Sequence, residues 1–264
     1  MKILCLHGER QSGQTFQSEL KPLLDRLQAA NREVSFEFTD GPLKCSNQTT
    51  KDSSPPTLPE YNFYEAEQVD DIRRARKWLS EKLDRDGPYD GVLAHSQGAA
   101  LASSFLLYRQ WYEHEQPPPF KFAIFTSGSI PLAVLRDLGV AVSSEAEEAV
   151  AQARRRHAEL LAPLPAHLAD ARRAVFNSDD CFGLNLNKIP PELKIRIPTV
   201  HAWGGNDALF PAAVQLAGLC DPYIRKMFTH PGARGMELGE KELDELATLV
   251  DWCVQRATWP GQTQ

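Results

Sequence analysis

The sequence predicts an α/β protein: a mostly parallel, doubly wound sheet with a helical lid-like insertion. Three observations carry that expectation. Short apolar runs of strand length alternate with segments whose apolar residues recur at helical spacing. Breaks containing glycine and proline separate them. A longer excursion, residues 130–194, then interrupts an otherwise regular rhythm.

Taken in order, Ile3–Leu6 and Val34–Phe38 read as strands, with Phe16, Leu20, Leu23, Leu24 and Leu27 marking a helix between them. Asp40-Gly41-Pro42 breaks the chain, and Leu43–Pro59, rich in Ser, Thr, Lys and Pro, reads as a surface loop. Val69, Ile72, Ala75, Trp78, Leu79, Lys82 and Leu83 give an amphipathic helix over 67–84, stopped by Gly87-Pro88. A buried strand follows at Tyr89–Ala94, then a helix from Gln97 to about Tyr112, then a strand at Phe122–Thr126. Within the excursion, Glu145–Leu161 is helical and 177–187 reads as a polar loop. Placed over one end of the sheet, the excursion is read as a lid that shapes a pocket, with a solvated helical bulge as the alternative. The rhythm resumes with a strand at Pro198–Trp203, a helix at Pro211–Leu219 and a strand at Tyr223–Thr229. A last helix over 240–256 carries Leu243, Leu246, Val250 and Cys253 on one face.

Composition removes whole classes of function. With 29 basic against 35 acidic residues and no long basic run, no nucleic-acid partner is expected. No stretch approaches the roughly 18–20 apolar residues that span a bilayer, so no membrane association is expected. The opening MKILCLHG reads as a strand and not as a signal peptide, which with the cysteine usage points to a cytoplasmic location. Cys5, Cys45, Cys181, Cys220 and Cys253 are scattered and odd in number, so neither a disulfide framework nor a zinc site is expected. No metal-ligand spacing and no phosphate-binding glycine loop occurs, so no cofactor is expected, and the partner is a small-molecule substrate.

The strongest chemical signal is Tyr89-Asp90-Gly91-Val92-Leu93-Ala94-His95-Ser96-Gln97-Gly98-Ala99-Ala100. A buried strand runs into a helix with a serine at the corner and small residues two positions either side. That is the pattern of a nucleophile elbow, in which a tight turn projects the serine hydroxyl above the sheet. Leu6-His7-Gly8-Glu9 ends the first strand, where a His-Gly turn offers a backbone N–H to complete an oxyanion hole. The two donors are assigned to Glu9 and Gln97. His7 itself is read as a loop brace. A third piece is Trp203-Gly204-Gly205-Asn206-Asp207, which puts an acid on the loop after the penultimate strand, where it would orient a catalytic imidazole. A turn or N-cap aspartate is the competing reading of Asp207.

These motifs resemble a family of serine hydrolases of the α/β-hydrolase superfamily, which includes fungal esterases and thioesterases and the human ovarian-tumour-associated hydrolase. The resemblance rests on LCLHG at 4–8, GPYDGVLAHSQGAALA at 87–102, FKFAIFTSGSIPL at 120–132, IPTVHAWGGNDALFP at 197–211 and THPG at 229–232. It implies one α/β-hydrolase domain over 1–264 with a lid-like insertion at about 130–194. It also implies cleavage of a carboxylic ester or thioester, in fungi often an acyl chain of polyketide biosynthesis within secondary metabolism.

One motif departs. The family ends its last strand in His-Pro-Gly-Gly-His, the second histidine being catalytic, and follows it after a short turn with proline. Here the chain reads His230-Pro231-Gly232-Ala233-Arg234-Gly235-Met236-Glu237. Arg234 stands at the position of the base, and a guanidinium has no lone pair with which to take a proton. His230 is the remaining candidate for that role, with Ser96 as nucleophile and Asp207 as acid; a structural His230 is the alternative reading. His95, His201, His114, His157 and His167 read as supporting, strand, surface or lid residues.

Three functions follow: a serine hydrolase, a non-hydrolytic cyclase or isomerase reusing the pocket with Arg234 as a fixed cation, and a non-catalytic binding module.

Overall fold

The computed structural model describes residues 1–30, 33–45, 58–158, 180–233 and 235–258. Its strands in chain order are β1 (Lys2–Leu6), β2 (Ser35–Thr39), β3 (Leu43–Lys44), β4 (Tyr61–Asn62), β5 (Gly91–His95), β6 (Phe122–Thr126), β7 (Asp180–Cys181), β8 (Leu184–Asn185), β9 (Thr199–Gly204) and β10 (Arg225–His230). The helices are α1 (Gly13–Ala30), α2 (Val69–Asp86), α3 (Gln97–Tyr112), α4 (Leu132–Asp137), α5 (Ser144–Ala158), α6 (Phe210–Gly218) and α7 (Glu240–Thr258).

Six strands form one sheet in the order β10-β9-β6-β5-β1-β2, and every neighbouring pair is parallel. Parallel strands need crossovers, and the helices that supply them cover both faces. The side-chain alternation of a strand shows directly in the core. Ile3 and Cys5 of β1, Leu93 of β5 and Phe122 and Ile124 of β6 join α1 and α7 on one side. Leu4 and Leu6, Val92 and Ala94, and Ala123 and Phe125 join α2, α3 and α6 on the other. The helical faces read from the sequence in α1 and α7 are buried: Phe16, Leu20, Leu23, Leu24 and Leu27, and Leu243, Leu246, Val250 and Cys253.

The chain runs outward from β1 to β2, then returns to place β5 on the other side of β1. Connections leaving β1 and β5 therefore diverge, opening a crevice at their carboxyl ends, the usual ligand site of such sheets. The residues leaving those strands are His7 and Ser96.

Two loops expected from the sequence contain pairing. Leu43 and Lys44, at the start of the expected surface loop, pair with Asn62 and Tyr61, while 46–57 lie outside the described residues. Within the expected polar loop, β7 and β8 form a hairpin whose two turn residues, Phe182 and Gly183, have φ of 50° and 79°. Positive φ at both turn residues is type I′ geometry, here without the Asn-Gly that usually announces it. Ser143 Oγ donates to the Gly183 carbonyl at 2.6 Å, docking the hairpin on the start of α5.

Candidate active site

Ser96 sits between β5 and α3 with φ 52° and ψ −113°, a conformation that L-residues rarely adopt. Its N–H donates to the Thr126 carbonyl at 3.0 Å. The corner is tight because α3 starts hard against β1. A β-carbon at Gly98 would stand 2.5 Å from the Leu6 carbonyl oxygen and 2.6 Å from that of His7. Gly98 N–H uses the closeness, donating to the His7 carbonyl at 3.0 Å. Gly8 is confined in the same way: a β-carbon there would meet His95 Cδ2 at 2.8 Å and Ser96 Cβ at 3.3 Å. The strained serine is thus over-determined by its surroundings, the condition under which strain persists at a functional site.

The His7 ring is committed to structure. Its Nε2 accepts the Gly41 N–H at 2.9 Å, so Nδ1 carries the proton and donates to the Gly8 carbonyl at 2.6 Å. Burial lowers its pKa, which favours that neutral form. Beside it the Gln11 amide makes a fork: Oε1 accepts the Gly8 N–H at 2.8 Å, and Nε2 donates to both Glu19 oxygens at 2.9 Å. Burial raises the Glu19 pKa and nearby Glu237 adds to the rise, against the opposing Gln11 bond. Among the described residues, no acceptor takes the N–H of Glu9 or that of Gln97.

Asp207 and His230 lie in two loops knitted together. Gly205 N–H donates to the His230 carbonyl at 2.6 Å and Asn206 N–H to the Gly232 carbonyl at 3.0 Å. Asn206 Nδ2 adds a bond to the Pro231 carbonyl at 2.8 Å. Asp207 is buried, with Oδ1 accepting the Leu209 N–H at 2.8 Å. Its Oδ2 is also buried and has no partner among the described residues. His230 Nδ1 accepts the Gly232 N–H at 3.2 Å, while Nε2 is buried without a described partner. Burial lowers the His230 pKa, opposed by the charges of Asp207 and Glu242.

A cavity of about 1050 Å³ opens above the elbow. Its wall includes Ser96, Gln97, Glu9 and Gln11, with Tyr64–Glu67 on one side and Met236–Leu238 on another. Val150 and Arg154 of α5 reach it from the excursion, and Arg154 forms an ion pair with Glu67.

Of the residues singled out in the sequence, Ser96, Gln97 and Glu9 meet at this cavity. Asp207 and His230 are buried and do not line the cavity, although Leu209, Gly235 and Met236 do. Arg234 lies outside the described residues, although Ala233 and Gly235 on either side are placed. Among the described residues, the imidazole on the wall is that of His95, whose Nδ1 bonds Thr126 Oγ1 at 3.0 Å. His201 is fully buried and its pKa is pushed down to about 3 by burial and by Arg225. Gln11, Glu19, the Tyr64–Glu67 segment and Arg154 escaped the sequence reading. They carry no local motif and arrive by tertiary folding. Among the described residues, no group of His, Cys, Asp and Glu could hold a metal ion, and no helix is long and apolar enough to cross a membrane.

Comparison with known proteins agrees with this architecture. The chain is 28% identical over 283 residues to Esterase alnB of Emericella nidulans, with 97% of each chain covered. It is 26% identical over 274 residues to Hydrolase FUB4 of Fusarium oxysporum f. sp. lycopersici, with 95% of this chain and 97% of that one covered. The carboxylesterase of Bacillus cereus superposes with a TM-score of 0.51 at 18% identity, covering 95% of this chain and 87% of that one. SOBER1 of Arabidopsis thaliana gives 0.50 at 15% identity, covering 96% and 99%. The model of the family described as Serine hydrolase (FSH1) matches residues 1–234. The chain has the α/β-hydrolase fold and belongs to the FSH1 serine hydrolase family.

Proposed function

We propose that the cavity above Ser96 cleaves a carboxylic ester or thioester of a small acyl substrate, by attack of Ser96 Oγ on the carbonyl carbon. The observation that carries this reading is the elbow itself: a serine held at φ 52° between a buried strand and a helix, opening into a cavity of about 1050 Å³. The oxyanion formed as the C–O π bond breaks is met by the N–H groups of Glu9 and Gln97. The alcohol or thiol then leaves, and water releases the acid. Fungal relatives named as esterase and hydrolase support an acyl substrate; a polyketide-type substrate of secondary metabolism is what the sequence resemblance implies. The described part of residues 130–194 serves as the lid, a reading supported by Val150 and Arg154 on the cavity wall; residues 159–179 lie outside the described residues.

The proton of Ser96 is where this chain differs from its family. His230 is off the cavity wall and its Nδ1 is already engaged. Arg234, at the family's histidine position, cannot accept a proton. Acylation then runs on the oxyanion hole and substrate binding, with water accepting the Ser96 proton and supplying a proton to the leaving oxygen or sulfur. In a serine protease those contributions leave about 10³–10⁴-fold acceleration, against a loss on the order of a millionfold when the histidine is removed. Fluorophosphonate labelling of the folded protein tests the reading: a slow adduct on Ser96, absent in Ser96→Ala and faster in Arg234→His, is expected, and no adduct in either the parent or Arg234→His rejects it.

A second reading is favoured by the buried Oδ2 of Asp207, which hydrogen-bonds no imidazole among the described residues. Here Arg234 stabilises a developing enolate or alkoxide in a cyclisation or isomerisation, with no acyl-enzyme. Under this reading Arg234→Ala abolishes turnover and Ser96→Ala spares it.

A further inference from the structure

We propose that the side chain of Gln97 is a positioning residue that sets one wall of the Ser96 cavity and so its acyl-chain selectivity. The proposal rests on reading that cavity as the site of acyl transfer. Gln97 is assigned a backbone N–H in the oxyanion hole; its side chain points to a different task. The side chain is buried, and both ends of its amide are spent on two consecutive residues. Oε1 accepts the Phe63 N–H at 2.7 Å, and Nε2 donates to the Tyr64 carbonyl at 3.0 Å. One planar amide thus binds a donor and an acceptor from a segment 34 residues away in sequence. Only a glutamine-length amide offers both groups at that reach: asparagine is one methylene shorter, and glutamate cannot donate.

What the fork holds explains its consequence. Phe63 is wedged in the core, its ring stacked on His7 at 4.6 Å and tilted against Trp78 at 5.5 Å. From there Tyr64, Glu65, Ala66 and Glu67 run along the cavity. The far end is tied to α5 through the Glu67–Arg154 ion pair. That pair is substantially exposed and holds weakly. The buried fork is the firm anchor, because removing it takes the Oε1 acceptor from the Phe63 N–H and the Nε2 donor from the Tyr64 carbonyl. Phe63 keeps its core packing, so the relaxation falls on the wall segment. The nucleophile and the backbone N–H of residue 97 stay where α3 puts them. The effect is therefore on substrate fit before it is on chemistry.

Two measurements on the full chain test this. In Gln97→Ala, exchange of the Phe63 amide proton is expected to speed up by about tenfold or more, the equivalent of one lost buried hydrogen bond, with β1 amides unchanged. In Gln97→Glu the carboxylate still accepts that N–H, and Phe63 stays protected. Across p-nitrophenyl esters from acetate to decanoate, Gln97→Ala is expected to shift the preferred chain length and raise KM severalfold, with kcat moving less. Unchanged Phe63 exchange in Gln97→Ala overturns the proposal. So does a fall in kcat that is uniform over chain length at constant KM. If the unmodified protein cleaves none of these esters, the hydrolytic reading fails, while the Phe63 exchange still decides whether Gln97 is the clamp.

Discussion

Gly204, the last residue of β9, lies directly against the carbonyl of Ala233, and a β-carbon at Gly204 would overlap that oxygen. This contact brings the loop that carries Asp207 onto the turn that leads to position 234. With the Gly205–His230 and Asn206–Gly232 bonds, it makes the two loops one unit. Gly204→Ala is expected to push the turn away, costing about 1–3 kcal/mol as over-packing does, and to lower Ser96-dependent activity. Urea unfolding and ester hydrolysis measured on the same preparation check both parts. A variant as stable and active as the parent would show that the contact is not limiting.

The proposed function leaves His230 a structural role: it is buried, accepts the Gly232 N–H, stacks on Phe228 at 6.2 Å and does not line the cavity. His230→Phe keeps the ring packing and loses one hydrogen bond, worth about 1 kcal/mol. Activity is expected to stay within about threefold of the parent, since a group outside the reacting cavity supplies no acid–base catalysis. A kcat loss of about 100-fold or more, in the range that a true acid–base residue gives, would return His230 to the chemistry.

Much of this was legible in the sequence because it is local. The elbow is written within a dozen residues, and Gly98 is glycine for a reason the fold supplies, the carbonyls of Leu6 and His7. The alternation within β1 and the stripe on α7 follow from periods of 2 and 3.6 and survive into the core. What was not legible depends on distant encounters. Nothing around Phe63 announces that its N–H will meet Gln97, and nothing around Arg154 announces Glu67. The β7–β8 hairpin was missed because its turn, Phe182-Gly183, lacks the usual asparagine.

The edge of the sheet carries an acid-sensitive contact remote from the site. Glu37 on β2 accepts bonds from Lys82 Nζ at 2.8 Å and Tyr89 Oη at 2.7 Å, with Lys2 Nζ at 2.8 Å. Burial pushes its carboxyl up, but the bonds from Lys2, Lys82 and Tyr89 outweigh it and hold the pKa at about 2. A carboxylate depressed by folding stabilises the native state above its unfolded pKa. That contribution is lost as pH falls from about 4.5 towards about 2. Glu37→Gln should lower stability at pH 7 by roughly 1–2 kcal/mol, at the low end for charged hydrogen bonds because the side chain is a third exposed. Thermal melts should also show a flatter decline for the variant between pH 4.5 and pH 3. Parallel declines would remove Glu37 as a source of acid sensitivity.

The most direct test of the proposed function concerns the general base that it leaves without an imidazole at position 234. If nucleophile, oxyanion donors and acid are in place and only the base is absent, Arg234→His supplies it on a loop already joined to that of Asp207. The measurement is kcat for a p-nitrophenyl ester by the parent, Arg234→His and Arg234→His with Ser96→Ala. A rise of at least about 100-fold in Arg234→His, abolished by Ser96→Ala, is expected, general-base catalysis being worth about 10²–10⁴. A folded Arg234→His protein no faster than the parent would contradict the assignment of Ser96 and Asp207 as the remainder of a hydrolytic triad.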